Sequence, residues 1–340
     1  MTRSVRIDWV DYAKGISIIL VVMMHSTLSS EAALHADGWM HPLVEFAKPF
    51  RIPAFFLIAG LFAAHAIGTE WRSFIDRKIL HFVYFYILWL TIQFAFRGPV
   101  YAADGGVLEA VRQYLLAFAD PFGTLWFIYL LPVFFLAARL VRGLPPMLVV
   151  VAAALLQSAH IETGWTLIDE FAARFVYFYA GALAGQTIVA HADWFRARPL
   201  ATVCGLAVWA IVTAACVSAG LSAWPGISLL LGFAGAAAVI AVSVLLARAG
   251  LLGFIRYCGQ NSLVIYLAFF LPMAVTRIAL VRTGIVTDPG TVAFLVTSVA
   301  VAVPLVLHML VRGTAFRFLF ERPDRFRLTV PKRTAMQPAE

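Results

Sequence analysis

Residues 6–25 read RIDWVDYAKGISIILVVMMH. From Ile16 to Met24 only Ser17 is polar, yet the segment carries Asp8, Asp11 and Lys14 at its start and His25 at its end. A run of about 20 mainly apolar residues is what a helix needs to cross the hydrocarbon core of a bilayer. Ionisable side chains inside such a helix are costly, so they turn toward protein rather than lipid. At 100° per residue, Lys14 and His25 differ by about 20° around the helix and Asp11 and His25 by about 40°. The three therefore share one face. His25 lies about 21 Å of helix rise beyond Asp11, past the middle of the membrane. The stretch predicts a transmembrane helix with a buried polar stripe.

The remainder of the chain has the same character. Of its 340 residues 62% are hydrophobic and 13% charged, about half the charged share of a soluble domain. A water-soluble fold of this length could not hide so much apolar surface. Cys204, Cys216 and Cys258 make neither a disulfide framework nor a zinc motif and read as small buried hydrophobes. The first segment, without a small-residue cleavage signal, reads as an uncleaved membrane helix.

Ten apolar stretches are long enough to be spans: 10–28, 46–67, 79–96, 124–140, 144–159, 171–190, 199–219, 226–247, 257–280 and 290–311. The basic residues fix their direction. With the N-terminus in the cytoplasm, 18 Lys and Arg fall on inner loops and the tail, and only Arg97, Arg112 and Arg282 on outer loops. The expected fold is an all-α polytopic membrane protein with about ten transmembrane helices and both termini cytoplasmic. It divides into a transmembrane domain, 1–311, and a basic cytoplasmic tail, 312–340, that lies on anionic lipid. The net charge of +8 thus belongs to topology. No stacking platform or basic helix supports nucleic-acid binding.

Two readings of the stripe on helix 1 stand side by side. Asp11 and Lys14 can form an interfacial salt bridge or contact a substrate. His25 is deep, and imidazole is the usual general base near neutral pH. The second stretch begins Lys48-Pro-Phe-Arg51-Ile-Pro53 and reaches Gly60, which predicts irregular backbone of the kind membranes tolerate only within protein. Arg51 enters from the side that His25 approaches and could hold an oxyanion or anchor the helix end. His65, His81 and His308 read as solvated at the inner interface, and no histidine pair has metal-ligand spacing within one helix. No metal and no resident cofactor is expected.

The ordered set Asp11-Tyr-Ala-Lys14-Gly15 to His25, Ile52-Pro53-Ala-Phe55-Phe56 to Gly60, Leu125-Trp126-Phe127, Arg174 to Gly181, and Gly259-Gln-Asn261-Ser262 to Tyr266-Leu resembles the acyltransferase 3 family of integral membrane O-acyltransferases. The resemblance covers nearly the whole chain. It implies transfer of an acyl group, usually acetyl from acetyl-CoA, to hydroxyls of envelope saccharides or glycolipids, in a multi-pass protein of the bacterial inner membrane. It makes His25 the family's essential histidine, acting as base or transient acyl carrier, with Arg51 assisting. Asp11, Lys14, Arg77, Lys78, Trp126, Arg174, Asn261 and Tyr266 become candidate substrate-binding residues. Lys14 stands where Arg is usual, Lys78 and His81 where paired arginines are usual, and Phe269 where a His often follows.

The residues fit this chemistry independently. Acyl transfer to a hydroxyl needs a base and donors for the oxyanion. Lys14, Arg77 and Lys78 would meet the phosphates of an acyl-CoA from the cytoplasm. A transporter or flippase of lipid or saccharide is the alternative class, expected to show paired broken helices, and an inactive relative is the third.

Overall fold

The computed structural model describes residues 7–121 and 123–328; Arg3, Arg6 and the end of the tail lie outside them. The described residues form helices and no strand. In order these are α1 (Asp8–Leu34), α2 (His41–Ala47), α3 (Arg51–Gly60), α4 (Ala63–Ile67), α5 (Trp71–Phe74), a π-helical segment (Ile75–Leu80) and α6 (His81–Leu116). Then follow α7 (Trp126–Leu140), α8 (Pro146–Ser158), α9 (Thr166–Ala197), α10 (Pro199–Ser218) and α11 (Ile227–Ala249). The last are α12 (Gly253–Gln260), α13 (Ser262–Ala268), α14 (Phe270–Thr283) and α15 (Pro289–Val311).

Six helical stretches are long and apolar enough to cross a bilayer: α1, α5 through α6, α7, α10, α11 and α15. A seventh appears if α13 and α14 are counted as one bent span. The other three of the ten expected stretches differ for physical reasons. α3 has 10 residues and α8 has 13, short of a membrane's thickness at 1.5 Å per residue. α9 has 32 residues; Asp169, Glu170, Arg174, Asp193 and Arg196 stand toward its two ends, and its uncharged middle mixes Tyr177, Tyr179, Gln186 and His191 with apolar residues, so it is less apolar than the six. The second stretch is broken, as its prolines foretold: α3 starts only after an interruption at Lys48–Phe50 and ends at Leu61. The ninth, read as continuous, bends by 53° between α13 and α14. Pro272 lies in the first turn of α14, where its ring cannot accept a straight helix from the residues before it.

α1 is the central element and packs against α3, α11, α12 and α15. Its approach to α12 is limited by backbone. A Cβ at Gly15 would collide with the Ile255 carbonyl, and one at Gly259 with that of Asp11. Small residues let membrane helices come this close, because lipid tails supply no hydrophobic drive and packing must hold the bundle. A second block of packing is aromatic. Phe55 stacks on Phe127 at 4.4 Å, and Phe56 sits 4.5 Å from Phe127 and 4.8 Å from Phe134 between α3 and α7. Outward faces stay apolar: Leu200 is 82% and Ile211 70% exposed on α10, as expected of surface turned to lipid.

Two basic groups assigned to inner loops or tail are instead built into protein. Arg139 is buried, donates to the carbonyls of Ile67 and Thr69 at 2.8 and 2.7 Å, and lies over the rings of Trp71 and Phe74. Up to Leu328 the tail docks on the protein. Trp89 Nε1 donates to Leu319 O and Tyr84 Oη to Phe318 O. Arg322 forms a buried ion pair with Asp76 at 2.7 Å.

Candidate active site

Two cavities flank the middle of α1. The first, of about 280 Å³, opens near the end where α1 begins, and its charged or polar lining comes from Lys14, Lys78, His81, Ser262 and Tyr266. Aromatic side chains of α3 and α7 complete it. Lys78 and His81 come from the π-helical segment and the first residue of α6. A π-helical turn widens the helix locally and is often found at functional sites. Here it turns Lys78 inward, with Nζ 4.6 Å from the Phe135 ring centroid, and leaves Arg77 exposed. His81 is thus a cavity residue rather than a solvated interfacial one. Its three-residue spacing from Lys78 was the available signal.

The second cavity, of about 620 Å³, lies beyond His25, toward the end where α1 terminates. His25 and Ser29, one turn apart on α1, line it together with Arg97, Thr124 and Arg277. The His25 ring packs against Phe269, 5.6 Å between centroids, at the bend between α13 and α14. Arg277 Nη1 donates to Ser29 O at 3.1 Å. The sequence reading placed Arg97 in an outer loop and gave Arg277 no role. The signal for Arg277 was a charge within the ninth apolar stretch; Arg97 looked like a loop residue and proves to belong to α6.

A narrow wall separates the cavities. Tyr266, buried, lines the first; its hydroxyl donates to the carbonyl of Thr124, which lines the second, and accepts the Ile128 N–H at 3.3 Å. Its ring also faces Phe269 and Phe127.

The other candidate residues lie elsewhere. Asp11 is buried in the α1–α12 seam and accepts from Gln260 Nε2 at 3.3 Å. Arg51 donates from Nη1 to Val44 O at 3.0 Å and is not among the second cavity's lining residues. Trp126 packs on Phe56. Arg174 pairs with Glu170 at 3.0 Å and lines a third cavity with Lys48. Asn261 ends α12 and donates back to Tyr257 O at 2.9 Å. The structure thus gathers Lys14, Lys78 and Tyr266 on one side and His25 on the other.

A family model described as an acyltransferase domain matches residues 7–309. The inner membrane protein YcfT of Escherichia coli (strain K12) is 23% identical over 207 residues, which cover 53% of this chain and 57% of that protein. No solved structure matches.

Proposed function

The chain belongs to the acyltransferase family whose domain spans residues 7–309, and from that premise we propose that it moves an acyl group, acetyl in the first instance, from acyl-CoA to a hydroxyl of an envelope saccharide or glycolipid. The observation that carries this reading is the pair of cavities divided by Tyr266 and Phe269, with Lys14, Lys78 and His81 on one side and His25, Arg97 and Arg277 on the other. In the proposed arrangement both termini are cytoplasmic and ten segments cross the inner membrane, the kind of membrane named for the E. coli relative, with α3 completed by α2 and α4 and α8 crossing as a short span. The first cavity then faces the cytoplasm, where Lys14 and Lys78 hold donor phosphates and the thioester reaches toward the wall. The acceptor occupies the second cavity. Once the Tyr266–Phe269 wall parts, the acceptor's hydroxyl oxygen attacks the thioester carbonyl while the His25 imidazole takes the hydroxyl proton. The resulting oxyanion collapses, the C–S bond breaks, and the proton passes to the departing CoA thiolate. The products are an ester and free CoA. The positive field of Arg51 favours the oxyanion.

A second reading, transport of a lipid or saccharide, draws on one observation. Two of the spanning elements are broken, at α2–α3 and at α13–α14, and paired broken helices are common in transporters.

Membranes holding the wild type or His25→Ala at matched protein level, supplied with labelled acetyl-CoA, separate the two readings. General-base catalysis is worth about 10²–10⁴-fold, so the variant should lose label transfer and CoA release by that order. Arg51→Lys should show a partial loss. Near wild-type turnover in His25→Ala would refute the catalytic role, and no CoA release by the wild type would shift the weight to transport.

A further inference from the structure

Glu31, Asp37 and His41 are separated by five and three residues. Glu31 stands in the last turn of α1, Asp37 in the turn that follows and His41 at the first position of α2. Folding brings their ligand atoms within 4.8 Å of one another. Spacing within one helix does not reveal such a set, because its three donors come from three pieces of backbone. His41 Nδ1 stands 2.9 Å from Glu31 Oε2 and 4.0 Å from Asp37 Oδ1. Tetrahedral donors 2.0–2.1 Å from a zinc ion stand about 3.4 Å apart, so the two distances bracket that value. A rotation of Asp37, whose side chain is 79% exposed, closes the longer one.

The charge of the set favours a cation. Among the described residues His41 is the one basic group within 4.0 Å of either carboxylate, so two carboxylates share a single imidazole. The Glu31 side chain is only 7% exposed, and a buried carboxylate needs full compensation. Glu45, one turn along α2, is occupied by Lys48 at 3.2 Å. The donors are also held in place. The second oxygen of Glu31 accepts the Gly38 N–H at 3.0 Å, the kind of outer support that orients a ligating carboxylate. Gly38 lies against the start of α15, where a Cβ would come within 2.3 Å of Gly290 N. Met40 and Val44, before and after His41, pack with Met23 of α1 and Ala293 of α15 in a small core. The turn thus presents its donors from fixed backbone.

From this geometry we propose that Glu31, Asp37 and His41 form a binding site for a divalent transition-metal ion, zinc in the first instance. One imidazole nitrogen with two carboxylate oxygens suits zinc better than magnesium or calcium, which take oxygen donors throughout. On binding, the Nδ1 proton leaves to water, the Nδ1 lone pair and one oxygen of each carboxylate go to the metal, and water fills the fourth position. The ion ties the end of α1 to the start of α2. Val44, on the same short helix as His41, accepts Arg51 Nη1 on its carbonyl at 3.0 Å, so the tie also braces the point from which Arg51 is held. The site is separate from both cavities that flank α1 and does not depend on what the protein transfers.

The test is metal binding to the full-length protein in detergent, freed of any polyhistidine tag and stripped with chelator. Zinc is titrated against a zinc-responsive dye, magnesium and calcium are added as competitors, and apparent Tm is recorded alongside. Zinc should bind at one ion per chain and, at about a hundred times its Kd, raise the apparent Tm by about 5 °C. Magnesium and calcium should compete at least about tenfold more weakly. His41→Ala should weaken zinc by about tenfold or more, because even an outer partner of a metal ligand is worth about 10–100-fold. Asp37→Ala, at an exposed side chain, should weaken it likewise and answers for the site if His41→Ala fails to fold. His35→Ala, beside the set but outside it, should bind as wild type. Absence of saturable binding, or an unchanged Kd in both ligand variants, would overturn the proposal and leave Glu31 and His41 a plain ion pair. Equal competition by magnesium or calcium would overturn the part given to the imidazole. Loss of binding in His35→Ala alone would overturn this donor set.

Discussion

Replacement of Arg322 by Met should destabilise the protein by about 3 kcal/mol, the low end of the range for removing one partner from a buried ion pair. The structure sets where in that range the value falls. Arg322 and Asp76 have side-chain exposures of only 5% and 3%. Arg322 Nη2 binds Asp76 Oδ1, and Nη1 binds the Asp76 carbonyl, each at 2.7 Å. With the guanidinium gone, Asp76 keeps the Leu328 N–H at 3.0 Å, which offsets part of its desolvation. For a chain of this size about 3 kcal/mol corresponds to about 6 °C in apparent Tm, read by intrinsic fluorescence at one fixed scan rate because such unfolding is often irreversible. The companion variant Asp76→Leu/Arg322→Met removes both charges together and should recover most of the loss. The pair also pins the π-helical segment that presents Lys78, so Arg322→Met should raise the apparent KM for acyl-CoA more than that for acceptor. An apparent Tm within about 1 °C of wild type would refute the reasoning, since it would mean that the tail does not dock on the segment.

Three further predictions rest on separate parts of the molecule. Lys78 lines the first cavity and Arg77 is exposed. Lys78→Ala should therefore raise the donor KM clearly and Arg77→Ala only weakly; equal effects would move the donor site to the surface. In the last turn of α1, the Glu31 carboxylate accepts from His41 Nδ1 at 2.9 Å and from the Gly38 N–H at 3.0 Å. The Glu31 hydrogen bond holds the His41 pKa above its usual value. A raised histidine pKa stabilises the folded state fully below the unfolded value, about 6.5, and the contribution fades as pH rises through the folded value. The Tm difference between wild type and His41→Asn should accordingly be largest at acid pH and shrink at alkaline pH, and a difference that grows with pH would contradict the assignment. Topology reporters fused after Pro42, Gly143, Gly220 and Pro323 should read outside, inside, outside and inside; an outside signal at Pro323 would break the alternation of ten spans.

Local patterns along the chain were enough to identify lipid as this protein's solvent and to single out candidates for its chemistry. Apolar run length and the cost of charge in lipid are local properties of the chain. They are enough to make residues 8–34 a membrane helix and to single out Lys14 and His25 on one of its faces. The prolines of the second stretch announced its interruption, since a missing N–H acts wherever the residue stands. Only the tertiary structure decided which partners those groups meet. Asp11 shares the face of His25 but is claimed by Gln260 in the α1–α12 seam, because Gly15 and Gly259 draw those backbones together and close that part of the face. Lys14 and His25 are about 17 Å of rise apart on one helix, and nothing along α1 divides them. It is Tyr266, from α13, and the bend at Phe269 that divide their surroundings into two cavities. Arg277 and Arg97 come to His25 from α14 and α6, far away in the chain. Arg322 reaches Asp76 across 246 positions. Such juxtapositions arise from helix packing, and helices in a membrane choose neighbours by the fit of whole faces, a quantity that no window along the chain contains.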